Sequence, residues 1–141
     1  MAAAKVYVVP VPGCEQEVEA LKAKARTLGF VVVCDGKPLS DYESCIKSAN
    51  FVLLPLCAAA SQDGSLDEIF AEVRAIGGKI VGVWPDGAPS SVLPASLSTF
   101  GYSVIRAEVA DLKRVLVDGE RIWLEPNGKP RKAPPTPRHK G

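Results

Sequence analysis

Glu68 is the side chain best placed to do chemistry, because of what leads into it. Asp63-Gly64-Ser65 is followed by Leu66-Asp67 and then Glu68-Ile69, so a short polar loop of small residues runs into a helix that opens with acids. Free backbone N–H groups at a helix start, beside small residues, make a seat for an anion or a ribose. A carboxylate in the first helical turn would face that seat. The same residues also serve an ordinary capped helix, in which Asp63 or Ser65 caps and Asp67 and Glu68 meet the positive end of the helix dipole. Asp63, Gly64 and Ser65 are the candidate binding residues and Glu68 the candidate catalytic one. Glu72, one turn further on, reads as a solvated surface acid.

Other chemistries lack their residues. No G-x-x-x-x-G-K-[ST] run is present, and no G-x-G-x-x-G follows the first strand, which disfavours nucleoside triphosphate hydrolysis and dinucleotide redox binding. Cys14, Cys34, Cys45 and Cys57 form no C-x-x-C pair and no metal-ligand spacing, and the single histidine, His139, lies near the C-terminus. No metal or cofactor is expected. Cys34 and Cys57 fall near the same sheet edge as Glu68, but a Cys–His nucleophile is unsupported. Cysteine usage of this kind fits buried thiols in a reducing cytosol.

The elements that must position Glu68 follow from periodicity. Phe51 to Leu56 reads as a buried strand, Lys79 to Pro85 as another, with the helix that carries Glu68 between them. Upstream, Lys5 to Pro10 is the first strand. Glu15 to Leu28 is an amphipathic helix with Val18, Leu21, Ala25 and Leu28 inward, closed by Gly29. Phe30 to Cys34 reads as a second buried strand, and Leu39 to Ser48 as a short helix with Ser40 or Asp41 as N-cap and Tyr42, Cys45, Ile46 and Ala49 inward. After a turn-rich stretch and a brief helical piece at 92–98 come a fifth strand, Tyr102 to Arg106, and a last helix, Glu108 to Leu116, with Val109, Leu112, Val115 and Leu116 inward. Apolar strands alternating with helices predict a three-layer α/β fold. With right-handed crossovers, a flavodoxin-like, five-stranded parallel sheet of order 2-1-3-4-5 is expected. Its carboxyl edge would hold the ligand.

At 141 residues the chain is expected to form one domain, over 1–117. An arm or hairpin at 118–128 is anchored by Trp123, and a basic, proline-rich tail at 129–141 is expected to be disordered. Residues 1–128 carry twelve Lys/Arg against sixteen Asp/Glu, whereas the tail has five Lys/Arg and no acid. The tail reads either as a contact for a protein or nucleic acid or as a solubilising end. No apolar run reaches the roughly 20 residues of a membrane helix, and the N-terminus lacks a signal layout. A cytoplasmic location without membrane contact is expected.

From Asn50 to Asp86 the chain resembles the nucleoside 2-deoxyribosyltransferase family and its Rossmann-like and bacterial Toll/interleukin-receptor-like relatives. The resemblance rests on Asp63-Gly64-Ser65 before Glu68-Ile69, on Gly78-Lys79 before Ile80-Val81-Gly82-Val83, and on the opening Lys5-Val6-Tyr7. Val8 to Gly13 replaces the family's A-G-P, and the interval from Glu68 to Gly78-Lys79 is longer than usual. The resemblance implies that Glu68 is the nucleophile on an anomeric carbon and that Tyr7 orients it. Such cleavage develops oxocarbenium character, which a neighbouring anion stabilises or captures. Asp63 would hold a ribose hydroxyl, and Trp84 would stack on a base. Tyr7 is equally readable as a core aromatic, and Trp84 as a lid over the core. The implied activity is cleavage or transfer of an N-glycosidic bond in a nucleoside, nucleotide or NAD-like molecule, with a homo-oligomeric state and a role in bacterial defence. The competing reading is a non-catalytic nucleotide-binding sensor or assembly module.

Overall fold

Short β-branched runs form the sheet and amphipathic runs cover it. The computed structural model describes residues 4–11, 13–36, 41–56, 66–85, 101–126 and 129–130, with the backbone alone at 66 and 67. Five strands, β1 (Lys5–Val8), β2 (Val31–Val32), β3 (Phe51–Pro55), β4 (Lys79–Trp84) and β5 (Ser103–Arg106), pair in parallel in the order β2-β1-β3-β4-β5. Helices α1 (Glu15–Thr27) and α4 (Val109–Leu116) pack together on one face, and α2 (Tyr42–Ser48) and α3 (Leu66–Ala75) on the other. This is the parallel α/β architecture and strand order expected from the sequence.

The central strands explain why. Every residue of β3 is buried, as are Ile80 to Trp84 of β4, because helices cover both faces. Val6, Leu53, Val81, Val104 and Ile105 have no exposed surface. Removing such a side chain, as in Leu53→Ala, costs about 2–5 kcal/mol in lost transfer energy and residual cavity. Pro55 ends β3, where its missing N–H is least costly.

Some expectations are corrected at the periphery. The second strand is not buried over Phe30 to Cys34; β2 has two residues, and Val31 is 46% exposed. It lies at the sheet edge with β1 as its one neighbour, and the chain leaves it through a turn at 33–36, where Cys34 takes a φ of 59°. Val109 is exposed rather than inward. Asp111 is buried in its helix instead, because it accepts a hydrogen bond from Arg106 Nε at 3.2 Å. In α1, Val18, Leu21 and Ala25 face the core as expected, and Gly29, at φ 89°, supplies the left-handed turn that ends the helix.

The cysteines are also corrected. Cys34 and Cys45 form a disulfide with a Cα–Cα distance of 5.9 Å, and Cys14 is disulfide-bonded too. Periodicity shows which cysteines are inward but not which meet. The 34–45 link ties the turn after β2 to the middle of α2. A charged knot braces the same turn from α1: Lys22 Nζ donates to Asp35 at 2.8 Å and to Glu19 at 3.0 Å, and Arg26 also donates to Asp35. Burial alone would weaken the Lys22 charge, but these carboxylates outweigh it and raise its pKa. They correspondingly lower that of Asp35.

The arm runs alongside β5. Val104 N–H donates to Ile122 and Leu124 N–H to Val104, at 2.8 Å each, and Ile122 N–H donates to Ser103 Oγ at 2.9 Å. Leu124 is buried, while Trp123 is only half-buried. Pro130 then bridges Leu124 in the antiparallel sense. The piece at 92–98 and the tail at 131–141 lie outside the described residues. Among the described residues, no helix is long and apolar enough to cross a membrane.

Candidate functional site

In a sheet of order 2-1-3-4-5 the winding reverses between β1 and β3, and crossovers leave a crevice there at the carboxyl edge. Tyr7 lies on β1 beside that reversal, level with Val52, the second residue of β3, and so within the sheet rather than at its carboxyl edge. Its neighbours Val6 and Val8 turn to the opposite face by strand alternation. Tyr7 is 2% exposed, and its hydroxyl has no hydrogen-bond partner among the described residues. Burial, with Asp41 nearby, pushes its pKa up to about 12. A buried hydroxyl left without a partner costs about 1–3 kcal/mol, and such groups in folded proteins mark a place for water or a ligand.

Two elements bring carboxylates to this face of the sheet, near Tyr7 and Tyr42. Asp41 stands at the N-terminus of α2 and makes no capping hydrogen bond with its side chain. Tyr42 follows, half-buried. Its pKa is raised by burial first and then by Glu68, Glu43 and Glu72. That influence places Glu68 and Glu72 of α3 beside Tyr42, as the packing of α2 on α3 requires. Glu68 is exposed, in the first turn of α3. The expected hydrogen bond between Tyr7 and Glu68 is not formed, since the Tyr7 hydroxyl has no partner among the described residues. What the fold brings together is a buried phenol with Asp41, and an exposed carboxylate with Tyr42. The region's field is negative.

Asp63, Gly64 and Ser65 lie outside the described residues, as does Cys57. Trp84 is 1% exposed, and its Nε1 donates to the carbonyl of Leu124 at 2.8 Å. No face of its ring is accessible beneath the arm. The Gly78-Lys79 pair has a local structural reason. A Cβ at Gly78 would lie 3.1 Å from Val73 Cγ1, so a glycine lets the chain pass close to α3 as it enters β4.

Sequence reasoning missed Asp41 and Tyr42 as site residues, reading them as a helix cap and an inward packing residue. An acid–aromatic pair opening a helix that follows an edge strand was the available signal. A separate cleft of about 170 Å³ opens on the α1 face, lined by Gln16, Glu17, Lys24, Pro55 and Pro85 among others. Neither Tyr7 nor Glu68 lines it, so this cleft and the candidate carboxylate sit on opposite faces of the sheet. Among the described residues no group of three His, Cys, Asp or Glu side chains could hold a metal ion. The chain matches no protein-family model, and a comparison with curated proteins returns no match.

Proposed function

We propose that the protein cleaves or transfers the N-glycosidic bond of a nucleoside, nucleotide or NAD-like molecule at the crevice between β1 and β3. The observation that carries this reading is the buried Tyr7 hydroxyl, without a partner among the described residues, on the strand beside which the sheet order reverses, with Asp41 near it. In this reading Glu68 supplies the anion that stabilises or captures the developing oxocarbenium ion. The Tyr7 phenol, protonated well above neutral pH, donates a hydrogen bond to Glu68 or to the sugar once the substrate enters. Asp63, Gly64 and Ser65 hold the ribose. Stacking by Trp84 requires the arm to lift.

Incubation with NAD and a panel of nucleosides, followed by chromatography of the released base, tests the proposal. Glu68→Gln should reduce release by at least about 100-fold, the lower range for loss of a general catalyst. Absence of release by the unaltered protein, or undiminished release by Glu68→Gln, ends it. A non-catalytic nucleotide-binding or assembly module is the second reading. It is favoured by the exposure of Glu68, whose carboxylate has no hydrogen-bond partner among the described residues. Calorimetric binding of a nucleotide without turnover selects it.

Self-association belongs to the same proposal, checked by light scattering. The cytoplasmic location is also a proposal, and the disulfides stand against it, because a reducing cytosol opens such bonds. Thiol labelling at the moment of cell lysis decides the matter: alkylated Cys34 and Cys45 support the cytosol, and protected ones an oxidising compartment.

A further inference from the structure

The amino edge of the sheet, opposite the candidate site, carries exposed cations. Lys5 opens β1, Lys79 opens β4, and Lys47 lies in the last turn of α2, which ends at this edge. Arg121 sits level with Tyr102, just before the arm pairs with β5. All four are exposed, and among the described residues none forms an ion pair with a carboxylate. The acids of the neighbouring turn are Asp118 and Glu120, and Glu120 is held by Arg114 at 3.1 Å.

Two of the cations are fixed by aromatic rings. Lys79 Nζ lies 5.4 Å from the centroid of Phe51 and 5.3 Å from that of Tyr102, and Arg121 Cζ lies 5.1 Å from Tyr102. The two rings meet edge to face at 6.1 Å. Tyr102 is itself pinned, its hydroxyl donating to Gly119 at 2.8 Å, and Arg121 Nε donates to the Tyr102 carbonyl at 3.2 Å. Cation–π contact orients the charges without neutralising them. By register Lys79 lies level with Phe51 and Val6, so Lys5, one residue before Val6, projects from the other face at the same edge. Lys79 and Arg121 are thus a preoriented pair of positive charges, with Lys5 and Lys47 at the same edge.

We propose that this edge binds the sugar–phosphate backbone of nucleic acid. A backbone presents regularly spaced anions, and it is met by oriented, unneutralised Lys and Arg without any sequence reading. The guanidinium plane of Arg121, held by Tyr102, suits a phosphate or a stacked base. The antiparallel bridge at Pro130 turns the chain back toward the amino edge. The sequence beyond it contains Arg131, Lys132, Arg138 and Lys140, which lie outside the described residues. None of this depends on the proposed glycosidic chemistry.

Fluorescence anisotropy of a labelled single-stranded DNA oligonucleotide, titrated with the full chain from about 50 to about 200 mM salt, tests the proposal. Binding that weakens steeply with salt is expected. Lys79→Glu with Arg121→Glu should weaken it at least tenfold and lower the salt slope by about 1.5, for two contacts at roughly 0.7 to 0.9 each. Lys79→Gln with Arg121→Gln, checked for folding by circular dichroism, should give an intermediate loss. Several results overturn the proposal. They are no salt-dependent binding by the unaltered protein, full binding by the double reversal, or loss only when Arg131, Lys132, Arg138 and Lys140 become alanine. Equal competition by polyglutamate overturns it as well, because the surface then fits an acidic protein.

Discussion

At the scale of single residues, Tyr7 carries the most information. A phenol buried beside the sheet's reversal point, without a partner for its hydroxyl among the described residues, contributes little to stability that Phe would not. Tyr7→Phe should therefore leave the melting temperature unchanged or higher. If the phenol donates to substrate, base release should fall at least tenfold in the same variant. The tyrosine also sets an alkaline limit. Its folded pKa, about 12, lies above its ordinary value of 10.0, so the folded state keeps a proton that the unfolded chain releases. The associated stability is complete below pH 10 and is lost as pH rises towards 12, by about 2–3 kcal/mol. Denaturant titrations across that range should show a smaller decline in Tyr7→Phe than in the unaltered protein, the remainder coming from Tyr42 and Lys22, whose pKa values are also raised.

At the scale of elements, the turn after β2 shows what local patterning omits. Five apolar residues read as a strand, but only two pair, and the turn is held by a disulfide to α2 and by Asp35 to α1. Asp35→Asn should cost about 1–3 kcal/mol, because Lys22 is left buried with Glu19 as its remaining partner. The sign with pH is opposite to that of Tyr7. Lys22 and Arg26 lower the Asp35 pKa, so its contribution is present above the usual carboxylate range and lost as pH falls through its folded value. Chemical denaturation at neutral and acid pH measures both effects, and the variant should converge with the unaltered protein in acid.

At the scale of the whole molecule, the arm decides what β4 can offer a ligand. Trp84 lies at the carboxyl end of its strand, where a sequence reading places a stacking platform. The arm instead pairs with β5, and Leu124 accepts the indole N–H. With Trp123→Phe leaving Trp84 as the one tryptophan, emission should be blue-shifted, weakly quenched by acrylamide and unchanged by added nucleoside. Strong quenching would show that the arm lifts. The molecule is also polarised: acids gather where the helices begin and cations where they end, complementing the helix dipoles. The two edges of one sheet thus differ in charge.

Much of this fold was legible beforehand, because strand and helix periodicities are local properties. Val18, Leu21 and Ala25, and the apolar runs of β3 and β4, can each satisfy only one burial pattern, and handed crossovers then leave few strand orders. The position of Glu68 in the first turn of α3 followed from the same patterning. Contacts between residues distant in sequence were not legible. The partners of Cys34, Lys22 and Trp84, the burial of Tyr7 beside Asp41, and the alignment of Lys79 with Arg121 depend on which elements the sheet makes neighbours. Residue types and spacing determined the layers and the carboxylate; only tertiary packing decided what stands next to it.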